Sequence, residues 1–161
     1  MTTPERPQAV RVPIEALESA SDLTGANYID AFELTPSTPG HRTPEQIARA
    51  ALEGTPILVR NGIRLIHRHV LRFDLHPTES TDHVLGWRVL KSTEQEVLLR
   101  AEGPLMEGRL LLNRRGSRTL RLVTSLRFRR PGLSRSIWTL VGPIHRLAAP
   151  RLMERAARGV A

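Results

Sequence analysis

Leu133-Ser-Arg-Ser-Ile-Trp138-Thr-Leu-Val-Gly142-Pro143-Ile-His145-Arg146-Leu-Ala-Ala-Pro-Arg-Leu-Met-Glu-Arg155 reads as one long helix near the end of a 161-residue chain. Leu133, Ile137, Val141, Ile144, Ala148, Leu152 and Ala156 recur at helical spacing and are expected to form its buried stripe. Pro143 removes a backbone donor and crowds the preceding turn, so a kink near Gly142 is expected. The helix follows directly on a run of alternating segments. A meander of strands closed by one long helix is therefore the expected frame.

Upstream of Pro131-Gly132 the period is two. Leu120, Leu122, Thr124, Leu126 and Phe128 alternate with Thr119, Arg121, Val123, Ser125, Arg127 and Arg129. The leucines and Phe128 should face the long helix, and Arg121, Arg127 and Arg129 should face solvent. Asn113-Arg-Arg-Gly116 is a turn. Before it, Leu85/Trp87/Val89, Val97/Leu99/Ala101 and Met106/Leu110/Leu112 each mark one side of a strand.

An earlier strand is expected over residues 27–34, where Tyr28, Asp30, Phe32 and Leu34 alternate with Ile29, Ala31 and Glu33. Thr43-Pro44-Glu45-Gln46 then combines an N-cap threonine, a proline at the first helical position and a glutamine three residues after the cap. It opens a helix that Gly54 closes. Thr55-Pro56 starts a second, with Val59, Ile63, Ile66, Val70 and Phe73 on its apolar face and Arg60, Arg64, Arg68 and Arg72 on the other. Residues 1–25 read as an extended arm with a short apolar segment, and residues 26–158 as a single domain.

Composition narrows the functions open to this chain. There are no cysteines, which removes disulfides, cysteine zinc sites and thiol nucleophiles. No stretch reaches the ~20 uninterrupted apolar residues that span a bilayer. The first residues hold no apolar signal core, so a cytoplasmic protein is expected. The net charge of +8 is unevenly spread: residues 81–161 carry 16 basic and 6 acidic side chains, residues 1–80 carry 8 and 10. Only Lys91 is a lysine, a bias that GC-rich codon usage also produces. A basic face docking on an anionic partner or membrane is thus one alternative. No nucleic-acid signature accompanies the arginines, so no specific nucleic-acid partner is expected.

Four motifs carry a resemblance. A Tyr-x-Asp-x-Phe strand (Tyr28, Asp30, Phe32) precedes the Thr-Pro-Glu helix start (Thr43, Pro44, Glu45). A His-x-x-Gly-Trp strand follows (His83, Gly86, Trp87), and a Trp-x-x-x-Gly-Pro-x-His-Arg helix ends the chain (Trp138, Gly142, Pro143, His145, Arg146). Over residues 26–156 the chain resembles an uncharacterised bacterial branch of the START-like (SRPBCC, helix-grip, Bet v 1-like) superfamily. The resemblance implies an α+β fold in which a curved antiparallel sheet of five to seven strands wraps around the long C-terminal helix, with two short helices after the first strand. Five or six strands can be placed from the sequence. It also implies a cavity between sheet and helix, since superfamily members bind lipids, hormones or polyketides and some are aromatase/cyclases.

Within that frame His145 is the candidate acid/base, because an imidazole titrates near ~6.5. It stands against a plainer role in satisfying carbonyls freed by Pro143. Asp30 or Glu33 could reach it in space. Trp138 lies seven residues earlier, on the same helical face, and Trp87 and Trp138 could stack on a ligand ring. Thr124 is a hydroxyl in an apolar row and could orient a polar group. Arg146 completes the candidate ligand-binding set. His67 and His69 point apart on a helix and cannot chelate one ion, so no metal and no cofactor are expected. The expected function is binding of a small hydrophobic or aromatic molecule by a monomer or homodimer. The alternatives are a polyketide cyclase/dehydratase-like enzyme using His145 and the basic docking module.

Overall fold

The described residues of the computed structural model are 8–13, 24–37, 40–78 and 80–158. Alternating apolar and polar side chains cannot satisfy their backbone alone, and here the strands pair into one seven-stranded antiparallel sheet in the order β1-β2-β7-β6-β5-β4-β3. The strands are β1 Val10–Arg11, β2 Tyr28–Leu34, β3 His83–Val84, β4 Trp87–Ser92, β5 Glu96–Glu102, β6 Met106–Arg115 and β7 Thr119–Phe128. The helices are α1 Pro44–Leu52, α2 Ile57–Leu65 and α3 Pro131–Arg158. The architecture is α+β. Among the described residues no helix is long and apolar enough to cross a membrane.

The sheet holds one strand more than the sequence reading could place. Val10 and Arg11, assigned to the N-terminal arm, pair with Glu33 and Phe32 as the edge strand β1. Two residues are too few to show a period, so pattern alone misses them. Ala9 N–H also donates to Glu154 Oε1 at 2.8 Å, which fastens this edge to the end of α3. The rest of the expected arm lies outside the described residues, apart from residues 8–13 and 24–25.

The capping box of α1 forms as expected. Thr43 accepts from the Gln46 backbone, and the Gln46 side chain accepts from the Thr43 N–H at 2.9 Å. Arg49 on α1 donates to the carbonyls of His83 and Thr81, at 2.9 and 2.7 Å, and so fixes the helix over β3. The next turn, Leu85-Gly86, has φ of 48° and 88°, which suits a two-residue hairpin loop. Glu53 accepts the Leu85 N–H at 2.9 Å and holds this leucine in a conformation that L-residues avoid. A Cβ on Gly86 would come within 2.8 Å of the His76 carbonyl, so both space and φ demand glycine. This turn delivers Trp87, the last residue of the His-x-x-Gly-Trp motif, into the core.

Two helical faces differ from expectation. In α2 no residue is buried, and Val59 and Val70 lie on the surface. The helix passes into a π-turn over Ile66–Val70, and Arg72 at φ 60° turns the chain away. The wider turn and the αL residue rotate Leu71 and Phe73 into the core and break the periodicity assumed from the sequence. In α3 the buried side is Ser134, Trp138, Val141, Gly142, Ala149, Met153 and Ala156, while Leu133, Leu140, Ile144 and Leu147 are exposed. Two stripes of helical spacing coexist on this helix. The one containing Ser134, Gly142, Ala149 and Ala156 lets α3 approach the sheet closely, which a row of Leu and Ile would prevent. Helix α3 runs unbroken through Pro143 and Pro150.

Arg121 departs from the expected solvent row. It is only 7% exposed, because its guanidinium pairs with Glu33 on the neighbouring strand at 2.5 Å. Arg100 and Arg109 likewise converge on Glu107 at 3.1 and 2.8 Å. Much of the basic outer face is therefore a network of ion pairs, whereas Arg127 and Arg129 are exposed as expected.

Candidate functional site

Between the inner face of the sheet and the helices lies a cavity of about 140 Å³. Its wall is almost wholly apolar. Val97, Leu99, Leu112 and Leu122 contribute from the strands, Ile47 and Ala51 from α1, and Val141 and Met153 from α3. Ile63 and Ile66 border it on the α2 side, Ile144 and Ala148 on the α3 side. Ile144 is 52% exposed and still part of the lining, so the cavity reaches the surface along this edge.

The few polar groups of the wall form two sets. In the first, Trp138, His145 and Thr124 meet at the cavity surface, as the helical spacing and strand parity led one to expect. Behind them is Asp30, 1% exposed, whose position on β2 is directly opposite Thr124 on β7. Nε2 of His145 is 3.2 Å from Oδ2 and 3.4 Å from Oδ1 of this carboxylate. Tyr28 Oη donates to Oδ2 at 2.6 Å, and Arg146 Nη1 lies 3.5 Å from Tyr28 Oη. The chain of contacts runs from the cavity through His145 to Asp30, Tyr28 and Arg146.

Electrostatics follow from this packing. Burial pushes the Asp30 carboxyl pKa up, but the hydrogen bond and charge of His145 and the hydroxyls of Tyr28 and Thr124 outweigh it, so the net shift is downward. Thr124 Oγ1 assists at less than ideal hydrogen-bond geometry. Burial, with the neighbouring Asp30, raises the Tyr28 phenol. A carboxylate held ionised behind an imidazole fixes the ring's orientation.

Gly142 makes this corner possible. A Cβ there would sit 3.0 Å from Arg146 Nη1 and 3.3 Å from Trp138 Nε1, so the indole and the guanidinium pack where a side chain would otherwise stand. The Trp138 ring is 4.9 Å from Tyr28 and 5.4 Å from His145, centroid to centroid. The strand motif and the C-terminal helix motif thus close on one cluster.

The second set was not anticipated. His67, in the π-turn, lines the cavity, and Trp87 Nε1 donates to its Nδ1 at 3.2 Å. Phe73, Trp87 and His67 stand edge-on to one another at centroid distances of 5.2 to 6.1 Å. His67 is half-buried. Burial, reinforced by the charge of His145, pushes its pKa down to about 4. Only the Trp87–His67 pairing reveals this role, and it joins residues twenty positions apart. Of the candidate residues, Trp87, Thr124, Trp138 and His145 border the cavity, while Arg146 stands outside it against Tyr28.

No family model, curated protein or solved structure matches this chain.

Proposed function

We propose that this chain is a START-like helix-grip protein that binds a small, largely apolar molecule in the cavity between sheet and α3. The observation that carries this reading is the cavity itself: apolar on nearly every side, with its polar groups gathered at Thr124, His145 and His67. Sites for small molecules have this composition, a greasy enclosure with a few convergent polar groups. The element order and the sheet order, with β2 paired to β7, support the helix-grip assignment.

Size restricts the occupant. A dry cavity of roughly 150 Å³ takes up benzene, and about 140 Å³ is available here. The ligand is a single ring or its equivalent. A two-tailed lipid or a multi-ring polyketide would require α2 to move aside. Native mass spectrometry of protein purified from its own host tests the proposal. A stoichiometric added mass of one small molecule, released on denaturation, is the expected result. Bare protein under conditions that preserve non-covalent complexes would count against it.

A second reading, catalysis by His145, is favoured by one observation, the Asp30 contact that orients its ring. The two separate on His145→Gln. A binding protein retains its ligand, whereas an enzyme keeps the ligand and stops converting it.

A further inference from the structure

We propose that His67 is the residue that reads the ligand's polar group, and that the ligand carries an uncharged acceptor oxygen, a ring carbonyl, which accepts from His67 Nε2–H. This rests on the binding reading above and specifies its ligand class. The argument begins with the indole of Trp87. An indole N–H can only donate, so the nitrogen it meets at 3.2 Å, His67 Nδ1, must be the unprotonated one. The hydrogen of the neutral ring therefore sits on Nε2. Among the described residues that N–H has no protein acceptor, and it keeps accessible surface on a residue that lines the cavity. A ligand oxygen that meets this donor gains a hydrogen bond for which no protein group competes.

The same pairing excludes other ligand classes. With Nδ1 occupied, His67 offers no acceptor, so a group that only donates gains nothing there. Because burial keeps the ring neutral at physiological pH, it offers no charge to a carboxylate. Asp30 stands ionised behind the opposite polar set and disfavours a second anion. The aromatic edges of Phe73 and Trp87 beside His67 suit a ring that carries the oxygen.

Cyclohexanone and methylenecyclohexane differ only in exchanging C=O for C=CH2 and are of the size the cavity holds. Both should bind the wild-type protein. His67→Phe keeps a ring of similar size but removes the donor. It should weaken cyclohexanone about three- to tenfold, the value of one net hydrogen bond, and leave methylenecyclohexane within twofold. Equal loss for both probes, or no loss for either, overturns the inference while the cavity reading stands. If the wild-type protein binds neither, both fail. A measurement on wild-type protein covers the case of an unfolded variant. The His67 Nε2–H resonance should move on adding cyclohexanone and stay in place with methylenecyclohexane. Identical responses to the two would refute the assignment.

Discussion

His145 Nε2 lies 3.2 Å from Asp30 Oδ2, a contact that joins α3 to β2 across the interior. The carboxylate is 1% exposed and also takes the Tyr28 hydroxyl at 2.6 Å. Each partner removes part of the desolvation cost of the others, so the cluster is stable only as a set. There β2, β7 and α3 meet through polar groups.

Asp30→Ala should therefore cost about 3–5 kcal/mol at neutral pH, the penalty for leaving one side of a buried pair without its partner. The folded pKa of Asp30 lies below its ordinary 3.8, so its contribution is complete above that value and is lost as the pH falls through the lower folded value. Urea melts of both proteins from pH 7 to 2 check this. The gap between them should narrow as the pH falls below 4.

His67 acts at higher pH. Its folded pKa is depressed from 6.5 to about 4, so the unfolded chain binds the proton first as acidity rises. The associated stability is whole above pH 6.5 and declines as the pH falls toward 4, by about 3 kcal/mol in total. His67→Phe should abolish this slope. Parallel denaturation curves at pH 4.5 and 7 for the two proteins measure it directly.

Gly108 on β6 supports the aromatic floor of the cavity. A Cβ there would stand 2.9 Å from Trp87 Cη2 and 3.0 Å from Phe73 Cζ. Both rings are buried and could yield only by shifting into the cavity they line, so Gly108→Ala should destabilise by about 1–3 kcal/mol. A shifted Trp87 emission spectrum should accompany the loss.

The two stripes of α3 make opposite predictions for truncation. Met153 is buried, and Met153→Ala should cost about 2–5 kcal/mol. Leu140 is 76% exposed, and Leu140→Ala should stay within about 0.5 kcal/mol. Equal effects in thermal or urea melts would mean that the helix packs through its other face.

The strands were legible because one buried face imposes a period of two, and the Thr43 capping box because its chemistry is local. The face of α3 was not, since Ile144 and Trp138 both sit on stripes of valid helical spacing and only close approach to the sheet separates them. The two-residue β1 carries no period at all. Within the site, Trp138, His145 and Thr124 were found by parity and helical spacing, and Asp30 was a candidate whose contact only the register with Thr124 brings about. His67 escaped because a π-turn, which no propensity marks, turns it toward Trp87.

The cavity is the central claim, and benzene titrated into methyl-labelled protein tests it most directly. The methyl groups of Val97, Leu99, Leu112, Leu122 and Val141 line the cavity, while Leu58 and Leu140 stand in solvent at 82% and 76% exposure. Saturable shifts confined to the first group, and none at Leu58 or Leu140, are the predicted result. Shifts at the lining methyls no larger than those at the two exposed leucines would contradict it.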